Sequence, residues 1–136
     1  MSDGAALEAA NTAFYRAFEA LDLAAMDAVW DHGDEVKCVH PGWPLLAGWD
    51  AVRESWRAIF GNTEEMRFTL SDVRASAGYD LGWVTCTENI LSDVRGRVSV
   101  TAILATNVFR RDGDGPWRMI HHHASHVLSG EAADGT

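Results

Sequence analysis

The sequence predicts an α+β domain in which helices come first and a long antiparallel sheet follows. Apolar residues recur at helical spacing over roughly the first 60 positions. After Gly61 the chain becomes rich in β-branched and aromatic residues, which favour strands. Clusters of Asp and Gly separate these later runs and supply turns. Helices that precede such a sheet are expected to pack on one of its faces.

Three helices are predicted in the first part of the chain. The first is amphipathic, and Asp22 is the expected N-cap of a second, short helix that ends at the His-Gly pair 32–33. The third helix covers about 50–60, and Gly61 can end it. The apolar residues that define the first helix are Leu7, Ala10, Phe14, Phe18 and Leu21.

The strands are predicted from short apolar or alternating runs between turn residues. A short strand at 35–40 leads into a loop rich in Pro and Gly at 40–50. Turn residues at 93–96 and 112–115 make the last three of the longer strands a meander of hairpins. The four longer strands are expected at 66–77, 79–91, 97–111 and 117–128.

The size and composition of the chain are those of one folded domain. It has 136 residues, is 47% hydrophobic and contains six Trp, which gives enough apolar volume to line a cavity. We expect a single domain over residues 1–129 and a loose tail at 130–136. Cys38 and Cys86 lie in apolar, strand-like runs, which favours buried free thiols over a disulfide.

The charge pattern argues against several classes of partner. The net charge is −9, and no basic cluster is longer than the pair 110–111, so we expect no binding to nucleic acid or to anionic membranes. No apolar run approaches the roughly 20 residues that span a bilayer. The first residues lack the basic and apolar regions of a secretory leader, so we expect a cytoplasmic protein.

Residues 119–126 read MIHHHASH and place three consecutive histidines in a run with strand character. Because side chains alternate along a strand, His122 lies on one face and its two His neighbours on the other. Hydrophobicity favours the second face as the inner one, but alternation alone leaves both choices open. The first face carries Ile120, His122 and Ala124, and the second carries Trp117, Met119, His121, His123 and Ser125.

His121 and His123 have two interpretations. They are spaced so that a third ligand, either His126 or a carboxylate, could complete a zinc site. That ligand set is incomplete, so hydrogen bonds to neighbouring strands or across a dimer interface are the expected alternative.

Three motifs, taken in their order and spacing, resemble the nuclear-transport-factor-2-like, or SnoaL-like, superfamily over nearly all of 14–128. They are FYRAFEALDLAAMDAVW at 14–30, VHP at 39–41 with a following loop and helix, and NVFRRDGDGPWRMIHHHAS at 107–125. The resemblance implies a cystatin-like α+β roll, in which a curved sheet forms a cone around an internal pocket. It also implies a homodimer through the outer sheet face. The superfamily includes isomerases, dehydratases, polyketide cyclases and non-catalytic association domains, so fold alone does not define the reaction.

The resemblance to ketosteroid isomerases maps three site positions onto this chain, and all three differ. Phe14 replaces a tyrosine that donates to the substrate oxyanion, His40 replaces the aspartate base, and Asn107 replaces a protonated aspartate donor. A steroid isomerase is therefore not expected. The resemblance turns Ile120, His122 and Ala124 toward the pocket, and His121 and His123 toward the outer face.

These residues predict a domain that binds a small hydrophobic carbonyl or hydroxyl compound and uses general acid/base catalysis of the isomerase, dehydratase or cyclase type. His40 is the expected base, His122 the partner acid and Asn107 the donor to developing oxygen charge. The alternative is a non-catalytic dimeric binding or assembly domain, in which both histidines are ordinary core residues. No cofactor and no metal are expected, because phosphate-loop, nucleophile and complete metal motifs are absent. The expected pocket lining is Phe14, Trp43, Trp56, Ile120 and Ala124.

Three further side chains have open interpretations. Trp43 either roofs the pocket or pins its loop onto the core, and the two prolines of the same turn favour pinning. Tyr15 is expected to point to one side of the pocket. Glu88 interrupts a neutral strand and either orients a histidine or faces solvent.

Overall fold

A computed structural model describes residues 3–127, in which helices precede the long strands as predicted for an α+β domain. The predicted end of the domain at 129 and the tail at 130–136 lie outside the described residues. The helices are α1 (Asp3–Glu19), α2 (Leu23–Val29) and α3 (Trp49–Asn62), and the strands are β1 (Lys37–Val39), β2 (Leu46–Ala47), β3 (Glu65–Ala77), β4 (Leu81–Val94), β5 (Arg97–Arg110) and β6 (Arg118–His126).

The six strands of the described region form one sheet in the order β2-β1-β6-β5-β4-β3. The four long strands pair as the predicted antiparallel meander. However, β1 pairs with β6 in parallel, so the sheet is mixed and the prediction of a wholly antiparallel sheet is corrected. No hairpin joins β1 to β6, so their direction is not fixed by a tight turn. Irregularities in β3 and β6 bend the sheet, which is not closed into a barrel.

The second helix begins as predicted and ends earlier. The carboxylate of Asp22 accepts a hydrogen bond from the backbone N–H of Ala25 at 3.1 Å, which satisfies one of the free donors of the first turn. The helix ends at Val29 because Trp30 is extended and forms a β-bridge with Met119. The predicted end at the His-Gly pair was therefore a few residues too late.

The third helix is longer than predicted. Gly48 begins it with a φ of 89°, a backbone conformation that favours glycine. The helix continues through Gly61 to Asn62, so Gly61 does not end it. The hydroxyl of Thr63 donates to the carbonyl of Ile59 at 2.7 Å and satisfies one of the last carbonyls. Within residues 3–127, we find no helix with the length and apolar character required to cross a bilayer.

The interior is filled largely by aromatic rings. The α1 helix packs against β3 and β4, and Phe14 of this helix is fully buried among the rings of α3 and β6. Its ring centroid is 5.6 Å from that of Trp56 and 4.9 Å from that of His122. Fully burying one large apolar side chain contributes about 1.5–3 kcal/mol, so these rings are a major source of stability. The largest fully buried side chains include Trp30, Trp56, Phe14, Phe109, Leu7 and Met26.

A β-bulge in β6 decides which of its side chains face the interior. Residues 108–109 of β5 pair with His121 and Met119, so Ile120 is the extra residue on β6. Met119 and His122 are both buried as a result, while Ile120 is only half-buried. Regular alternation along β6 predicted that Met119 lies outside and Ile120 inside. The bulge makes this prediction wrong for both residues.

Both cysteines are free and buried, as predicted. Cys38 lies in β1 and Cys86 in β4. Burial raises the pKa of both thiols above the ordinary value, so they are protonated at neutral pH. A buried, protonated thiol is chemically inert, and we give these two residues a packing role.

Candidate functional site

His40 and His122 lie close together in the interior. His40 follows the end of β1, and Cys38 of this strand pairs with His122 of β6. The ring centroids of the two histidines are 6.3 Å apart, and the side chains are 3% and 1% exposed. The parallel pairing of β1 with β6 therefore brings together two residues that are far apart along the chain.

The hydrogen bonds of His40 fix its tautomer. The Ser55 hydroxyl donates its single proton to the carbonyl of Val52 at 2.6 Å. The Nε2 of His40 lies 2.8 Å from the same hydroxyl oxygen and must donate to it. Burial lowers the pKa of His40 to about 4, so the ring is neutral at neutral pH. His40 is thus a neutral imidazole that carries its proton on Nε2.

His122 is almost completely enclosed. Its Nδ1 lies 2.6 Å from the side-chain oxygen of Asn107, and its ring contacts Phe14 and Trp56. Burial and the nearby His40 hold the pKa of His122 well below its ordinary value of 6.5. Within residues 3–127, its Nε2 makes no hydrogen bond. This nitrogen therefore has no partner in the described part of the chain, although the side chain that carries it is only 1% exposed.

Asn107 joins the last two strands to the first helix. Its amide Nδ2 donates to the side-chain oxygen of Asn11 at 2.8 Å and to the hydroxyl of Tyr15 at 3.1 Å. Its oxygen faces His122. Both amide hydrogens have partners within the protein, so Asn107 has none left for a substrate oxygen. We therefore replace the donor role expected from the sequence by a positioning role.

Tyr15 and Glu88 extend this set of buried polar groups. The Tyr15 hydroxyl donates to Oε2 of Glu88 at 2.5 Å. Glu88 is 2% exposed, and burial raises the pKa of its carboxyl group from 4.5 to about 7, although the hydrogen bond from Tyr15 opposes this change. Burial and the neighbouring carboxylate raise the pKa of Tyr15 well above 10. Of the two interpretations of Glu88, the solvent-facing one is excluded.

Asn11 and Ser55 belong to this site, although the sequence analysis did not select them. Both are buried polar residues on the apolar faces of helices. Asn11 falls between Leu7 and Phe14 at helical spacing, and Ser55 is adjacent to Trp56. A polar residue within an apolar stripe is a signal that could have identified them.

The side chains predicted to line a pocket surround the two histidines to different extents. Phe14, Trp56 and Ala124 are buried, whereas Trp43 is 41% exposed and meets His40 edge-on at 4.8 Å. Trp43 therefore covers His40 from the solvent side and is not buried against the core. Several surface depressions of the described region, among them those beside Trp117 and beside His121, are lined by residues other than His40, Asn107 and His122. The rings and imidazoles are packed against one another.

The other two histidines of the triplet lie on the outer face of the sheet. The rings of His121 and His123 are 6.1 Å apart and line a shallow surface depression of about 370 Å³ with Leu104, Thr106 and Ser125. Residues 3–127 contain no group of three side chains suited to hold a metal ion. The described part of the chain therefore does not bring a third ligand to this histidine pair.

Comparison with known proteins assigns this chain to a family. The family model of the SnoaL-like domain matches residues 7–129, and the chain belongs to this family. The F-box protein SKIP8 of Arabidopsis thaliana is 32% identical over 123 residues, which cover 90% of this chain. The matched region is 50% of the plant protein, so the chain spans about half the length of that relative.

Solved structures give the same fold assignment. A proposed dehydratase of the NTF2-like family from Streptomyces avermitilis is 44% identical with a TM-score of 0.85, and the match covers 93% of this chain and 96% of that one. A proposed association domain of calcium/calmodulin-dependent protein kinase type II from Thiobacillus denitrificans is 40% identical, with a TM-score of 0.78 and coverages of 89% and 94%. A protein with a cystatin-like fold from Caulobacter vibrioides has a TM-score of 0.81 and 17% identity, and the match covers 96% of this chain and 94% of that one. At this identity, the match supports the fold alone. The predicted superfamily and cystatin-like fold are confirmed.

Proposed function

We propose that this protein binds a small hydrophobic carbonyl or hydroxyl compound in the interior beside His40 and His122 and moves a proton on it. The observation that carries this proposal is the pair of neutral imidazoles 6.3 Å apart among aromatic rings, with Nε2 of His122 left without a protein partner. That separation lets one small molecule contact both rings. A dry, aromatic surrounding favours an apolar substrate and strengthens each polar contact with it.

The chemistry that fits these groups is proton transfer next to a carbonyl group. The Nε2 of His122 takes a proton from the carbon beside the carbonyl, and the resulting imidazolium returns it to another atom of the same molecule. Return to carbon gives an isomer, and return to a β-hydroxyl group releases water and leaves a conjugated product. His40 contacts the same molecule as the partner acid/base group. The proposal thus exchanges the roles that the sequence suggested for the two histidines, because Nε2 of His40 is bound to Ser55.

Access to this interior requires a side chain to move. Trp43 is the most exposed of the rings that contact His40, and it lies in the Pro- and Gly-rich loop between β1 and β2. Gly42, next to it, has a φ of 82°, which fixes the turn with a conformation suited to glycine. We propose that displacement of Trp43 opens the path to the two histidines.

The test is an activity assay with defined probes. The probes are aromatic β-hydroxy ketones and β,γ-unsaturated ketones, whose dehydration or isomerisation is followed by the ultraviolet absorbance of the conjugated product. We expect turnover by the wild type and a loss of about 100-fold or more in His122→Ala and in His40→Ala, since acid/base groups contribute about 10²–10⁴-fold. His126→Ala, an exposed histidine at the end of β6, is the matched control and should retain the wild-type rate. An active enzyme whose rate is unchanged in His122→Ala would contradict the proposed mechanism.

A second candidate function is a dimeric binding or assembly domain without turnover. It is supported by the close packing around the histidines and by the similarity to the proposed kinase association domain. The exposed apolar side chains of the outer sheet face, which include Trp83, Val98, Val100 and Leu104, support a homodimer in either case. This second function would be favoured if no probe reacts and if none shifts the NMR signals of the His40 and His122 rings. We further propose a cytoplasmic location, which fractionation of cells that express the full protein would test.

A further inference from the structure

A continuous row of hydrogen bonds connects Glu88 on β4 to His122 on β6 through Tyr15 on α1 and Asn107 on β5. The successive distances are 2.5 Å, 3.1 Å and 2.6 Å, and the four side chains are at most 4% exposed. We infer that Glu88, acting through Tyr15 and Asn107, fixes the proton of His122 on Nδ1 and leaves Nε2 as the basic nitrogen. Only the role of this nitrogen as a base rests on the proposed function.

The direction of the row is set at the Glu88 end. Above about pH 7 Glu88 is ionised, and because a carboxylate has no hydrogen and only accepts, the single hydroxyl hydrogen of Tyr15 must point to Glu88. The sulfur of Cys86 also lies 3.5 Å from the Tyr15 oxygen, but a thiol is a weak partner beside a carboxylate. Tyr15 therefore offers only lone pairs to its remaining neighbour, Asn107.

The amide of Asn107 transmits this direction to the histidine. Its nitrogen must face Tyr15, because the Tyr15 oxygen can only accept, and its second N–H is bound to Asn11. The amide oxygen consequently faces His122. An oxygen atom only accepts, so the Nδ1 of His122 must carry a hydrogen and, in the neutral ring, Nε2 must carry the lone pair.

This arrangement selects the less common form of the ring. An unconstrained neutral histidine in water favours the tautomer with hydrogen on Nε2, which has no lone pair on that nitrogen. The row selects the opposite tautomer and holds the ring in place, as partners of a histidine's other nitrogen do in catalytic and metal sites. Glu88 and Tyr15 are therefore positioning residues, since neither contacts a ligand that sits at Nε2 of His122.

Nitrogen NMR of the protein without ligand tests this inference directly. The ring nitrogens of His122 are assigned in long-range proton–nitrogen spectra at pH 8.5, where Glu88 is ionised. We expect wild-type His122 to be in the Nδ1–H form, and Tyr15→Phe to remove that form as the dominant one. Tyr79→Phe makes the same chemical change at the other tyrosine, which is 80% exposed, and should leave the His122 spectrum unchanged.

Two results would overturn the inference. One is a wild-type spectrum in which His122 carries its hydrogen on Nε2, and this result needs no variant. The other is a folded Tyr15→Phe protein with the wild-type tautomer. If Tyr15→Phe alone does not fold, the double variant Tyr15→Phe/Glu88→Leu removes both polar partners, a change that is close to neutral for stability when shape is kept. These spectra require neither ligand nor turnover, so the inference can fail while the proposed function holds, and the reverse.

Discussion

Glu88 holds a carboxyl group in the interior, where the charged form loses its hydration. The hydrogen bond from Tyr15 offsets only part of this loss, so the pKa of Glu88 is raised from 4.5 to about 7. Between these values the folded protein binds a proton that the unfolded chain does not bind. The contribution of Glu88 to stability is therefore fully present below about pH 4.5 and is lost as the pH rises through 7.

This sign gives a prediction for Glu88→Gln. Glutamine does not ionise, so the variant does not lose the stability that the wild type loses as Glu88 ionises. The free energy of unfolding of the variant minus that of the wild type should therefore rise by about 2–3 kcal/mol from pH 5 to pH 8. Urea unfolding at the two pH values measures this difference. The effect of histidine titration on the free energy of unfolding cancels, because both proteins contain the same histidines. Glu8→Gln, at an exposed position of α1, is the control and should show no such change. A constant difference between wild type and Glu88→Gln would show that Glu88 ionises normally.

At the level of residues, the sequence indicated two side chains that lie close together, but not their hydrogen-bond partners. The family resemblance indicated His40 and His122, and the structure brings them together. The positioning role of Asn107 was not predictable in the same way, because its amide hydrogens are bound to Asn11 and Tyr15 on a different element. A hydrogen-bond role depends on which partners the fold supplies, and sequence spacing carries no information about partners so distant along the chain.

At the level of elements, helix starts and the long strands followed from local chemistry, whereas the two-residue β2 lies within the segment that was predicted to be a loop. Asp22 is the clearest case, because a carboxylate at this position satisfies a free N–H at any helix start. Local chemistry did not reveal the bulge at Ile120, where β6 must meet β5 on one side and β1 on the other. Beyond a bulge, every side chain of the strand points to the opposite face from the one that regular alternation predicts. The alternation assumed for β6 was therefore correct for His122 and wrong for Met119.

The cap of α2 provides a test at this scale. Asp22→Ala removes the acceptor for the Ala25 N–H and should lower the free energy of unfolding by about 1 kcal/mol. Asp22→Asn keeps an oxygen in the same position and should retain most of the wild-type stability. Chemical unfolding of the three proteins at pH 7 gives the comparison. Equal losses in the Ala and Asn variants would mean that charge, and not capping, is responsible.

At the level of the whole molecule, the curved sheet has two unlike faces. The inner face carries the buried polar side chains Glu88, Asn107 and His122 and faces the aromatic rings of the helices, whereas the outer face exposes large apolar side chains on the two longest strands. On β5 these include Val98, Val100 and Leu104, whose exposed fractions are 64%, 82% and 52%. A patch of this kind is typical of a surface that a partner covers.

A homodimer through this face leads to a prediction about mass. The wild type should sediment at twice the 14.9 kDa of one chain, and Leu104→Asp should shift it to a single chain, because a charge would be buried without a partner. The fold itself should be unaffected, since Leu104 is exposed in one chain. Leu45→Asp, the same change at an exposed position of the loop between β1 and β2, should remain dimeric. A monomeric wild type would contradict the proposed interface.

The position of β6 in the sheet also has a consequence for how the protein is made. This strand is the last described element along the chain, yet it lies between β5 and β1 in the sheet. During synthesis β1 emerges early and has only the two-residue β2 beside it until the ribosome has produced β6. A ribosome that stops before residue 118 therefore releases a chain without β6, in which β1 has no strand to join it to β5. The proposed site, which needs His122 of β6, can therefore form only after this strand has been made.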